Sequence, residues 1–378
     1  MEKAKKARRK TPEPSAVQVR QMQAAVLRKP GGPLRIETLE LEGPRDDEVQ
    51  VRIVASGICH TDIDLMDVMS EPVVLGHEGA GIVEQVGKDV KGVKPGDHLV
   101  LSYQSCGLCR ECRKGHPTGC AYFGDLNFGF ERLDGSNALH RSGVRGHFFG
   151  QSSFATCVLA TKRNIIKVPK SLPLELLAPL GCGIQTGAGT VMNSLSVRKG
   201  QGIAVFGTGA VGLAAVMAAR IMGAGPIIGV DINPVRLKLA LELGATHVID
   251  NRREDVLARV ADIAGKGVDY ALEITGDANI YQLAVDILKP QGTVALIANP
   301  GGGGALSGGR RSVDIIQGDA VPQKFIPKLI RLYQKGLFPF DRLIKFYDFR
   351  DINRAIRDAK NGKTIKPVLR ISPAQGNE

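Results

Sequence analysis

The sequence predicts a two-domain α/β protein: a doubly wound parallel sheet with helices on both faces, joined to a second, β-rich domain. Three observations carry this expectation. The length of 378 residues exceeds that of an ordinary single domain. Near Ile184 the texture changes, from short β segments broken by Gly and Pro to strands alternating with helix-length segments. Just after that change a glycine-rich turn, GTGAVG, follows directly on an apolar run. With 43% hydrophobic and 23% charged residues, and no apolar run near the roughly 20 residues that span a bilayer, the composition is that of a soluble globular protein.

Residues 1–20 form the first element, expected to be a disordered basic tail. The first fifteen residues carry six Lys or Arg against two Glu, and no apolar stretch follows to make them a secretory signal. A cytoplasmic location follows as the expectation. In that reducing compartment, clustered cysteines favour metal over disulfides. The formal charge of +12 raises nucleic acid as a partner. Beyond the tail, however, the charge is spread without a basic helix. Trp is absent and aromatics make up 5%, so stacking platforms for bases are scarce. Neither a nucleic-acid nor a membrane partner is expected.

Residues 21–183 read as the β-rich domain. The alternation from Val49 to Val54 marks a half-buried strand. GDHLVLSY, from Gly96 to Tyr103, is a further strand leading into a lobe over residues 104–122, and FATCVLAT, from Phe154 to Thr161, is another. The Gly-, Ser- and Asn-rich stretch from Gly124 to Gly150 reads as loop. Residues 184–317 form the dinucleotide domain: IAVFG, IIGVD, HVID, VDYALEIT and TVALIA alternate with helical segments. GGGGALSGG reads as a flexible connection. Residues 318–378 return to the first domain, with a closing strand at Pro367–Ile371.

The dinucleotide site rests on Gly207, Gly209 and Gly212, with Ala210 and Val211 between them, placed after a strand and before an Ala-rich helix. Such glycines permit a tight turn, close approach to a pyrophosphate and close helix packing. The helix N-terminus adds free N–H donors. Asp231 ends the next strand, 19 residues beyond Gly212, where an acid grips ribose hydroxyls and repels a 2′-phosphate. This favours NAD, while Arg236 nearby keeps NADP open.

Two metal constellations remain. Cys106, Cys109, Cys112 and Cys120 follow C-x2-C-x2-C-x7-C. No His follows as in a c-type haem site, and the last spacing is not that of the bacterial ferredoxin run. Four thiolates fill a tetrahedron, so a closed structural zinc is expected, with an iron–sulfur or vestigial site as the alternatives. Of the other cysteines, Cys157 reads as core. Cys59, His77 and Cys182 each sit beside glycines; singly they are ordinary, and together they fit a Cys2His zinc with an open position that lowers the pKa of an alcohol oxygen.

These residues resemble the zinc-dependent medium-chain alcohol dehydrogenases from about Gln23 to Ile371. The marks are GICHTD, GHEGAGIV, the four-cysteine lobe, LGCGIQTG, GTGAVG with Asp231, and KTIKPVLRI. CHTD, CGLCRECRKGHPTGC and HFFGQSSFAT make it most similar to the aryl-alcohol and allylic terpene-alcohol branch. The resemblance implies a Rossmann domain plus a GroES-like catalytic domain, two zinc per chain, NAD and a homo-oligomer, dimer or tetramer. It also implies reversible oxidation of a primary alcohol to its aldehyde.

Residue by residue, the resemblance makes Cys59, His77 and Cys182 the catalytic zinc ligands, Glu78 a neighbouring carboxylate and Asp62 the acid orienting His77. Thr61 takes the alcohol proton. His60 and Lys366 contact the pyrophosphate, Thr186 packs beside the nicotinamide, and Thr275 and Ile297 complete the cofactor cleft. Many members carry a His three residues after the hydroxyl residue; here Asp64 stands there, either as a relay group or as a surface acid. Tyr103, Phe148 and Phe149 are the expected pocket. A different alcohol class, a zinc-free reductase and a zinc-knot nucleic-acid-binding protein are the rival functions; the last leaves GTGAVG and Asp231 without a role.

Overall fold

The structure, a computed structural model, describes residues 19–140, 142–298 and 303–373. Most of the basic tail lies outside the described residues. The strand Val19–Leu27 begins two residues inside the range assigned to that tail, because Val19 and Arg20 pair in register with Glu42 and Leu41.

One sheet has seven strands in the spatial order His247–Asp250, Ile227–Asp231, Ile203–Phe206, Val268–Glu273, Leu288–Leu296, Arg311–Asp314 and Gly304–Ala305. The first six are parallel, and only the Gly304–Ala305 edge runs antiparallel. In chain order this is 3-2-1-4-5-6, with its switch point between Ile203–Phe206 and Val268–Glu273, where the strand ends open a crevice. The stretch expected to be a flexible connection thus includes part of the sheet. Arg311–Asp314 is its sixth strand, a four-residue polar segment with no apolar period of its own, fixed by pairing with Leu288–Leu296.

The β-rich domain holds a second seven-stranded sheet, whose main path is Ile344–Asp348, Lys366–Arg370, Glu48–Gly57, Glu78–Val86, His98–Leu101 and Ile165–Lys167, with Cys157–Thr161 also on Glu48–Gly57. Lys366–Arg370 lies antiparallel to Glu48–Gly57, so the chain's end returns to the first domain. Glu48–Gly57 is not half-buried as its alternation predicts. It is central and covered on both faces, with Glu48 and Gln50 buried and Glu48 paired to Arg132. The Gly124–Gly150 stretch is not all loop either. A short helix, Phe123–Phe128, is pinned by Asn127, which exchanges hydrogen bonds with the Gln104 backbone.

The two domains share a core in which Val54, Ala80, Val100 and Val368 join Ile184, Val205 and Leu213. The helix Ala210–Met222 is buried throughout Gly212–Ala219 and runs against the helix Gly183–Gly189. Glycine makes this approach possible: a Cβ on Gly187 would stand 1.9 Å from Val211 O, and one on Gly212 would stand 2.0 Å from Gly207 O. The glycine turn and Cys182, which precedes the second helix, are thereby locked side by side. No helix among the described residues is long and apolar enough to cross a membrane.

Candidate active site

Three chain segments meet between the domains. Cys59 caps the helix His60–Val68, His77 precedes the strand Glu78–Val86, and Cys182 caps the helix Gly183–Gly189. One ligand atom from each of Cys59, His77, Glu78 and Cys182 falls within 4.8 Å of the others. Asp62 fixes the arrangement. Its Oδ2 accepts from Cys59 N at 2.9 Å, and its Oδ1 accepts from Gly76 N at 3.0 Å and His77 Nδ1 at 2.9 Å. A carboxylate only accepts, so Nδ1 carries a proton and Nε2 is left to face the sulfurs.

That Nε2 is buried and has no hydrogen-bond partner among the described residues. Burial disfavours a charge on the ring, yet the Asp62 carboxylate and the Cys59 sulfur outweigh it and raise the His77 pKa to about 10. A hydrogen bond from Cys182, with help from His77, holds Cys59 well below an ordinary thiol despite its burial. Cys182, donating to Cys59 and buried, is pushed well above. Two sulfurs and an imidazole nitrogen thus converge on one point, and a cation bound there would displace the protons of His77 Nε2 and Cys182. A divalent cation fits that donor set.

Glu78 is buried behind the cluster. Lys366 Nζ reaches both its oxygens, at 2.8 and 2.9 Å, and Gly183 N donates at 3.1 Å. Gly57 leaves room for this carboxylate, since a Cβ there would come 2.0 Å from Glu78 Oε2. Burial raises the Glu78 pKa, with Lys366 pulling it back. Lys366, expected at a pyrophosphate, is 2% exposed and gives its remaining bond to Ile58 O. Its ammonium is held by Glu78, because a buried charge without a partner is too costly.

The remaining expected residues take these places. Thr61 Oγ1 lies 3.9 Å from Cys59 Sγ, on the first turn beside the exposed His60. Asp64 is an exposed carboxylate whose pKa partial burial raises. Tyr103 is 1% exposed and donates its hydroxyl to Ala320 O at 2.5 Å, which makes it a strut rather than an open pocket wall. Phe149 stacks on His77 with centroids 4.5 Å apart, and Phe148 meets the same ring edge-on at 5.2 Å. Phe130 stacks on Phe148, and Phe128, 42% exposed, meets Phe149 at 5.2 Å. The Phe128 and Phe130 contacts have no sequence signal beyond their aromatic spacing. Cys157 is core, its thiol pushed up to about 12 by burial.

At the sheet's C-terminal edge, Gly207 has φ +95 and Gly209 opens on free space, so backbone N–H groups are accessible to a phosphate. Asp231 Oδ2 accepts from Thr208 N at 2.6 Å and Thr208 Oγ1 at 2.8 Å, and its Oδ1 from Ile232 N and Asn233 N at 2.7 and 2.9 Å. Arg236 is half-buried, with an unpartnered Nε among the described residues, and lies near Asn233 and Gly362. Glu273 holds Thr275 beside Gly207, and Ile297 N donates to Glu273 O at 3.1 Å. Thr186 turns its hydroxyl to Cys182 O at 2.9 Å. This cradle fits a dinucleotide.

In the lobe the four sulfurs of Cys106, Cys109, Cys112 and Cys120 lie within 4.8 Å of one another. Leu108 N and Cys109 N donate to Cys106 Sγ, and Cys106 N donates to Cys120 Sγ. Backbone donors from Ala121 and Cys112 pull Cys109 down to about 6, while burial pushes Cys120 up to about 12. Sulfurs converging under N–H donors suit a tetrahedral metal.

Known proteins place the chain. A family model described as alcohol dehydrogenase GroES-like domain matches residues 45–170, and one described as zinc-binding dehydrogenase matches residues 210–318. Geraniol dehydrogenase of Castellaniella defragrans is 45% identical over 361 residues, covering 92% of this chain and 97% of that protein. A solved alcohol dehydrogenase zinc-binding domain protein from Burkholderia ambifaria is 50% identical, with TM-score 0.90 over 94% of this chain and all of that one. Benzyl alcohol dehydrogenase from Acinetobacter calcoaceticus is 44% identical, with TM-score 0.90 over 93% of this chain and all of that one.

Proposed function

The chain belongs to the zinc-binding alcohol dehydrogenases, which work with zinc and NAD, and from that premise we propose that it oxidises aryl or allylic primary alcohols reversibly to aldehydes. The observation that carries the site assignment is the orphaned Nε2 of His77 facing two sulfurs. Cys59, His77 and Cys182 would hold the catalytic zinc, and Cys106, Cys109, Cys112 and Cys120 a structural one. Bound there, the first zinc supplies Lewis acidity toward an alcohol oxygen and NAD supplies the hydride acceptor.

The chain's own residues do the rest. Asp62 fixes the His77 tautomer and ring plane. Thr61 Oγ1 takes the proton of the substrate hydroxyl and passes it outward past His60, with Asp64 as a solvent-side acceptor. Phe148 and Phe149, both buried, exclude water beside His77 and hold its ring from one face and one edge. Phe128, the exposed member of an otherwise buried aromatic cluster, and the names of two relatives support the aryl or allylic class. Asp231 supports NAD over NADP, with a ribose hydroxyl replacing that of Thr208, the one partner not fixed to the backbone. A homo-oligomer in the cytoplasm completes the reading.

The test is a substrate panel on zinc-loaded protein with NAD+ and NADP+ in parallel, followed by absorbance of the reduced cofactor. Benzyl-type and terpene alcohols are expected to give higher kcat/KM than ethanol or a polyol, and NAD+ higher than NADP+. No alcohol oxidised by the zinc-loaded protein would refute the reading.

A further inference from the structure

The turn after the sixth parallel strand reaches back into the cysteine–histidine cluster. Gln317, Gly318 and Asp319 have φ of +54, +64 and +47, a conformation rare for L side chains, and only the middle residue is glycine. The turn is clamped onto the helix Gly183–Gly189. A Cβ on Gly318 would lie 2.7 Å from Thr186 O and 2.8 Å from Gly189 Cα, and Asn193 Nδ2 donates to Gly318 O at 3.1 Å. Strain held in place by surrounding structure marks a residue whose side chain is in use.

The orientation of that side chain follows from its neighbours. Gln185 is buried, and one end of its amide lies 2.9 Å from Gly181 O. A carbonyl only accepts, so that end of Gln185 is the NH2. The same NH2 faces one end of the Gln317 amide at 2.9 Å, which must then be oxygen. The other end of Gln317, its Nε2, therefore points at Cys182 Sγ, 3.3 Å away. We propose that Gln317 is a positioning residue for the Cys59–His77–Cys182 centre. Its amide donates to the Cys182 sulfur, fixes that ligand's direction, and withdraws electron density from it, leaving a bound metal more electrophilic. The inference rests on the reading of this centre as the catalytic metal site. It also links the dinucleotide sheet to the metal, since the donor comes from one domain and His77 from the other.

Cobalt-substituted protein tests it. Gln317→Leu removes the donor at similar size. Gln317→Asn suits a positive φ but is one methylene too short to reach the sulfur. In both variants the sulfur-to-cobalt charge-transfer band that depends on Cys59 is expected at longer wavelength than in the wild type. Cobalt is expected to be lost to a chelator about 10-fold more readily, and kcat/KM of the zinc enzyme to fall by about 10-fold. The Cys106–Cys120 lobe absorbs equally in all samples and cancels in difference spectra. Unchanged bands and metal retention in both variants, whatever their melting temperatures, would overturn the proposal. Wild-type protein with no Cys59-dependent band would instead overturn the metal-site reading beneath it, a result that involves no change at Gln317.

Discussion

His77 Nδ1 stands 2.9 Å from Asp62 Oδ1, and both side chains are shut off from solvent. The same carboxylate holds the Cys59 and Gly76 amides, so one buried acid sets the positions of two of the three converging donors. It also favours the charged ring, because its negative charge opposes the cost of burying the imidazole.

Asp62→Asn keeps the shape but has a single oxygen. Whichever way the amide turns, its NH2 confronts either the Cys59 N–H or the Gly76 and His77 donors. Zinc affinity and kcat/KM are each expected to fall by about 10–100-fold with the fold retained. Chelator competition, steady-state kinetics and circular dichroism check this.

Cys112→Ser should remove about one zinc per chain and lower the melting temperature, since a closed four-thiolate site contributes folding energy. Cys59→Ala should also remove about one zinc and abolish activity, with a smaller loss of thermal stability. Metal analysis beside calorimetry separates the two sites. Equal thermal losses would mean that the lobe is not the structural member of the pair.

Asp231→Asn retains one oxygen for the turn but loses the charge. A hydrogen bond to a charged group is worth about 1.5–3 kcal/mol, so kcat/KM with NAD+ should drop by roughly 10–100-fold. With NADP+ it should change little or rise, since the repulsion of a 2′-phosphate is gone. The ratio of the two values is the readout.

His147 accepts from Ala138 N at 3.1 Å through Nε2, and burial with nearby Arg132 holds its pKa down at about 3. In the unfolded chain the ring titrates near 6.5. Between those values the unfolded state binds a proton that the folded state refuses. The group's contribution is therefore full above pH 6.5 and is lost as pH falls, by about 1.4 kcal/mol per unit and about 2 kcal/mol at pH 5. His147→Asn tolerates the φ of +64 and does not titrate. Urea unfolding at pH 7 and pH 5 should show a smaller acid loss for the variant than for the wild type.

Both cysteine groups and the glycine turn were legible in the sequence, because metal and phosphate chemistry demand particular residue types at short or recognisable spacing. Arg311–Asp314 was not legible as a strand, since a short polar segment takes its conformation from the neighbour it pairs with. Gln151 was likewise invisible: it ties Gly79 N, His77 O and Ser102 O together, and nothing in the run QSS distinguishes such a strut from a surface amide. Lys366 could be placed near the cofactor by resemblance, but its engagement with Glu78 depends on burial.

Residue order alone pointed to the two domains, the dinucleotide turn and the four-cysteine lobe through local spacing, and to the grouping of Cys59, His77 and Cys182 through ligand chemistry. Where the charges and hydrogen bonds go is set by the folded chain. It gave Lys366 to Glu78, Tyr103 to Ala320 and Gln317 to Cys182. Those choices join residues from 135 to 288 positions apart. They are made by the low dielectric of a shared core, where every buried polar group must find the partner that folding brings within reach.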